Sequence, residues 1–122
     1  MPTLTPQTST APRGREADMI HRFADRHGLS LSPTTVTLRS GALLRVDGSD
    51  GSTHVRAHAV HSPLGHADLA ALVQDVFALA LLRSAHPYAR TVLLVQDAAV
   101  RNALRVRIAD TPAAAAVEIA VA

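Results

Sequence analysis

The sequence predicts an α/β fold in which an antiparallel meander of three strands feeds, through one long helix, into a parallel strand. Three observations predict it. Between His66 and His86, the apolar residues Leu69, Leu72, Val73, Val76, Phe77, Ala80 and Leu81 recur at three- and four-residue spacing, the period of a helix. Before that stretch, Ala42–Asp47 and Thr53–His61 alternate apolar and polar residues on either side of Gly48-Ser49-Asp50-Gly51-Ser52, a strong turn signal. After it, Val92-Leu93-Leu94-Val95 is apolar without interruption, as in a strand buried on both faces of a sheet. The expected order is α-β-β-β-α-β-α-β, a mixed sheet with helices on both faces.

Each element has its own reason. Met1–Pro12 carries Pro2, Pro6 and Pro12 among threonines and a serine, with no apolar period, and is expected to be a disordered tail. Residues 13–122 are then one α/β domain. Arg13–Gly28 reads as a helix with Ala17, Ile20, Phe23 and Ala24 on one face and Gly28 as its C-terminal stop. Ser32-Pro33 marks a loop, and the β-branched run Thr35–Leu38 a first strand. In the hairpin, the apolar sets Ala42, Leu44, Val46 and Val55, Ala57, Ala59 are expected on one side of the sheet. That requirement favours Val46 opposite Val55 and Asp47 opposite His54, so that Asp47, His54, Arg56 and His58 project together. Asp47 and Arg56 are then diagonal neighbours, ~7–8 Å apart or less.

The helix from His66 is ~27 Å long at ~1.5 Å per residue. Leu79 and Leu82 widen its apolar surface beyond one stripe, so it is expected to be covered on more than one side. His86-Pro87 ends it. Thr91–Gln96 is the buried strand. Asp97 is placed to cap a helix from Ala98 to about Leu104, whereas Leu104–Ile108 also alternates like a strand, and both readings stay open there. Thr111-Pro112 breaks the chain, and Val117–Val121 alternates as a final strand.

Composition bounds the function. In 122 residues the formal charge is only +2, and all 12 basic residues are arginines. Phe23, Phe77 and Tyr88 are the only aromatic rings, too few for a stacking platform on single-stranded nucleic acid. Without cysteine there is no disulfide and no thiolate metal site. No apolar run approaches the ~18 residues of a membrane span, and the N-terminus has no apolar signal core. The expectation is a cytoplasmic protein with no membrane partner.

The order of elements, Asp47 at the end of the second strand, and the helix Asp68–Ser84 followed by LALLRSAHPYARTVLLVQD together resemble the PD-(D/E)XK nuclease superfamily, the restriction-endonuclease-like fold. The resemblance covers about Gly14 to Ala122. It implies a divalent metal held by an aspartate and by the acid of the (D/E)XK pair, with a lysine two residues on positioning the attacking water. Asp47 matches the aspartate, and Arg56-Ala57-His58 occupies the (D/E)XK slot. Glu16 matches an acid on the first helix of some members. Arginine has no acceptor and is always charged, so Arg56 cannot ligate a metal, and His58 is a poor copy of the lysine. An Asp47–Arg56 ion pair is expected instead.

The resemblance therefore implies a degenerate nuclease-like domain that has lost phosphodiester hydrolysis and acts by binding DNA or a protein partner, without a cofactor. One alternative is an active nuclease with a relocated carboxylate, in which Asp47 retains Mg2+ or Mn2+. The other is a structural or oligomerisation module, such as a homodimer, that touches no nucleic acid. For DNA the candidate contacts are Arg45, Arg56, Arg101 and Arg105, with Arg107 beside the last two. Plainer readings compete with each motif. His54, His58, His61 and His66 lie close in sequence, but His54 and His58 on one strand are ~13 Å apart, too far to share an ion. Asp47-Gly48-Ser49-Asp50-Gly51 resembles a calcium loop without its third acid or closing glutamate, and reads as a turn.

Overall fold

A computed structural model describes residues 14–122; the expected tail Met1–Pro12 lies outside them. The elements are α1 (Arg15–His27), β1 (Ser32–Thr37), β2 (Leu43–Ser49), β3 (Thr53–His58), α2 (His66–Ala85), β4 (Arg90–Val95), α3 (Ala98–Ile108), α4 (Ala113–Ala116) and β5 (Glu118–Val121). The five strands form one sheet in the order β1-β2-β3-β4-β5. The first three pair antiparallel and the last three parallel, so the expected α/β architecture holds. Among the described residues, no helix is long and apolar enough to cross a membrane.

Two layers of helix sandwich the sheet. On one face α1 lays Met19, Ile20 and Phe23 against Val55, Ala57, Val92 and Leu94. Its amphipathic spacing ends at Gly28, whose left-handed φ of 65° lets the N–H groups turn back onto Ala24 and Asp25. On the other face α2 and α3 bury Leu72, Val76, Leu79, Val100 and Leu104 against Leu93 and Val95. Thr91–Val95 are all buried, which is what an uninterrupted apolar run needs.

Two expectations are corrected and one open reading is settled. β1 begins at Ser32, three residues earlier than Thr35, and tolerates Pro33 because it is an edge strand. Leu104–Ile108 is helix: the Asp97 carboxylate accepts the Val100 N–H at 2.8 Å, and α3 runs on to bury Ile108. The hairpin pairs Gly48 with Val55 and Ser49 with His54, two residues out from the expected register. Its turn is only Asp50-Gly51-Ser52, closed by Asp50 Oδ1 accepting the N–H groups of Ser52 and Thr53 at 2.9 and 2.7 Å.

The cause of the slip is a bulge. Against β1, Thr34 faces Val46 and Ser32 faces Ser49, so β2 takes three steps where β1 takes two. An extra residue reverses the alternation. Leu44 and Val46 pack with Leu82 on the α2 side, whereas Gly48 and its partner Val55 face α1. The two apolar sets of the hairpin therefore lie on opposite sides of the sheet.

The outer edge of β5 is finished by arginines. Arg105 of α3 donates to the carbonyl of Ile119 at 3.4 Å, and Arg26 of α1 to that of Val121 at 3.3 Å. At Gly48 a Cβ would stand 3.1 Å from Leu31 Cβ and 3.2 Å from Ile20 Cγ2. Gly48→Ala is accordingly expected to cost about 1–3 kcal/mol, read as a lower urea midpoint with unchanged m-value.

Candidate functional site

The residues brought together centre on β3. Along its β4 edge β3 is paired from Thr53 to His58, but along its β2 edge only Val55 and His54 have strand partners. Beyond them, two successive N–H groups of that edge are taken by side chains. Asp47 Oδ2 accepts from Ala57 N at 2.8 Å, and Glu16 Oε2 from Ala59 N at 3.2 Å. Asp47 reaches its place because the bulge lies there, and Glu16 because the first turn of α1 crosses the end of the strand.

The side chains of β3 at alternate positions point toward α2. Arg56 Nη1 donates to Asp75 Oδ1 at 3.0 Å, and His58 Nδ1 donates to Asp75 Oδ2 at 3.0 Å. One carboxylate thus bridges an i, i+2 pair, which the strand's period presents on one face. All three side chains are largely buried, 21–24% exposed, so the pairing is less screened than on an open surface. Asp75 was missed in the sequence. It is the one acid within the apolar run Leu69–Leu82, and an acid in such a place requires a partner.

The expected Asp47–Arg56 ion pair is corrected accordingly: the ion pair of Arg56 is with Asp75. Asp47 is satisfied by a backbone amide. Burial pushes its carboxyl above the ordinary value, against the Ala57 N–H and the charge of Arg56, which pull it down. His58 is held above its ordinary value by its hydrogen bond to Asp75, against burial.

These side chains do not fit a Mg2+ or Mn2+ ion. Among the described residues, no three His, Asp or Glu side chains are grouped so as to hold a metal. Asp47 and Glu16 each serve a backbone N–H, and Asp75 serves two bases, one of them a guanidinium that repels a cation.

The remaining sequence candidates lie apart. His54 is buried, with Nδ1 2.9 Å from Ser49 Oγ and its ring 6.4 Å from that of His86. Its pKa is pushed down by burial, then by His86. His61 faces Asp97 at 3.5 Å. Arg45 is exposed on β2, Arg101 contacts Asn102, and Arg105 is engaged with β5. The four candidate arginines for DNA therefore sit on three elements, with Arg56 bound to Asp75 of α2 and Arg105 to the β5 backbone. No family model, no curated protein and no solved structure matches this chain.

The His58–Asp75 contact makes stability pH-dependent with a defined sign. Because the folded-state pKa of His58 lies above 6.5, its contribution is complete below that pH and is lost as pH rises through the folded value. His58→Gln is expected to remove about 0.5–1 kcal/mol at pH 6 and less at pH 8.5, measured by urea unfolding at both. His54, shifted the other way, lowers stability below 6.5 in the parent and the variant alike, and so cancels in the difference between them.

Proposed function

We propose that this chain is a nuclease-like domain that does not hydrolyse phosphodiesters and acts by binding, with a protein favoured over DNA as its partner. One observation carries the loss of hydrolysis. The position that the nuclease resemblance reserves for a metal-holding acid is Arg56, and its guanidinium is bound to Asp75. Asp75 and Glu16, the acids that hydrogen-bond about β3 beside Asp47, each already have an occupant and are not free to serve as a relocated carboxylate. Freeing Asp75 would leave a partly buried Arg56 uncompensated, a cost of several kcal/mol where burial is complete and somewhat less here.

The preference for protein rests on the arginines. A non-specific DNA surface neutralises several phosphates along one track. Here Arg56 is committed to Asp75 and Arg105 to the edge of β5, and Arg45 and Arg101 stand on separate elements. The alternation of Arg56 and His58 on β3 therefore supports the packing of α2.

A plasmid-nicking assay with Mg2+ or Mn2+ tests the first part, and a low-salt gel shift the second. The expected results are no nicking, and no retardation of duplex DNA at about 10 μM protein, where non-specific binders are retarded. Metal-dependent nicking that disappears in Asp47→Ala would overturn the loss of hydrolysis. Retardation that falls away in Arg45→Ala or Arg101→Ala would make DNA the partner.

A further inference from the structure

The periodicity of α2 demands cover on more than one side; the sheet, α3 and α4 supply part of it, and one outward stripe is left exposed. Leu72, Val76, Leu79 and Leu82 are fully buried, but Phe77 is 47% exposed and Leu81 60%. They belong to a continuous outward stripe of Ala67, Ala70, Gln74, Phe77, Leu81 and Ser84, all exposed. The spacing alternates between three and four residues, the repeat of a helix seam that meets another helix. No charged residue lies on it, although every other exposed helix face of the chain carries arginine or an acid where it is long enough to have a face.

We infer that this stripe pairs with the same stripe of a second copy, in an antiparallel two-fold dimer through α2. The dimer rests on the binding reading above and makes a second copy the protein partner. What singles out a second copy is that the stripe is complementary to itself. Its N-terminal half is small, with Ala67 and Ala70, and its C-terminal half bulky, with Phe77 and Leu81. A two-fold axis at the helix midpoint sets Leu81 against Ala70 of the other copy, large on small, twice over, and Phe77 against Gln74. A parallel arrangement sets Phe77 on Phe77 and alanine on alanine, leaving one end crowded and the other empty. Antiparallel helices also oppose their dipoles favourably.

The surface beside the helix has the matching form. On the small half, a cleft of about 280 Å³ is lined by Leu69, Ala70, Val73 and Gln74, with His66 and Arg107 at its rim. On the bulky half, Phe77 and Leu81 border a groove of about 360 Å³ with Pro112 and Ala113 of the α4 segment. The same two-fold axis that brings Leu81 over the cleft lays the groove of one copy over the cleft of the other.

Analytical ultracentrifugation of the full chain tests the association. A species of twice the 12.8 kDa chain mass is expected at micromolar concentration, and Leu81→Glu is expected to weaken it about 30-fold or more. A wild-type chain that is still monomeric at about 100 μM, well above the dissociation constant of a micromolar dimer, overturns the proposal. So does a Leu81→Glu chain that remains dimeric with an unchanged circular dichroism spectrum. Because the chain has no cysteine, the direction of pairing can be read by oxidation. Leu81→Cys mixed with Ala70→Cys is expected to cross-link, and Leu81→Cys alone is not; the reverse pattern defeats the antiparallel arrangement. A monomer in these experiments removes the dimer but leaves the nicking result standing.

Discussion

β3 is the strand on which the molecule depends, and its constraint is that it is paired fully on one edge and for two residues on the other. Backbone N–H groups left without an acceptor in a partly buried place cost about 1–3 kcal/mol each. Asp47 and Glu16 remove that cost at Ala57 and Ala59. Two acids from different elements, Asp47 of β2 and Glu16 of α1, are thus committed to the backbone of the chain itself.

The opposite requirement operates on the face of β3. Arg56 and His58 need a counter-charge once α2 covers them, and Asp75 meets both with one carboxylate. The pairing also fixes where α2 lies, since Asp75 is one residue from Val76 at the centre of the buried cluster. The polar bridge and the hydrophobic contact thus select the same placement of the helix. Leu72, Val76 and Leu79 hold α2 on the sheet, and Asp75 meets Arg56 and His58 in that same placement.

How much of this was legible in the sequence depended on whether the signal was local. Helical period in α1 and α2 and the unbroken run Val92–Val95 are local, and each element was found where the spacing placed it. The register of the hairpin is not local. The parity of apolar residues in Leu44, Val46 and Val55 is consistent with one shared face or with a bulge between two faces, and only the third partner, β1, decides. The candidate site failed at the same point. Asp47, Arg56, His58 and Glu16 were all identified and all lie about β3, but the acid that joins two of them comes from a helix 17 residues further along, where the apolar period drew attention away from Asp75. The open question at Leu104–Ile108 was settled by a cap, since Asp97 starts a helix whose burial of Leu104 and Ile108 uses the same side chains that alternate in a strand.

The border of β5 has a consequence for how such molecules crowd together. Arg26 and Arg105 reach it from opposite sides of the sheet and occupy the two carbonyls that face outward. A foreign strand seeking to lengthen the sheet there must displace both guanidinium groups and lodge beside their charge, which is how natural proteins discourage fibril-like stacking. Molecules held at high concentration are therefore turned away from open-ended growth along the backbone, and any contact between them is left to surfaces that close on themselves.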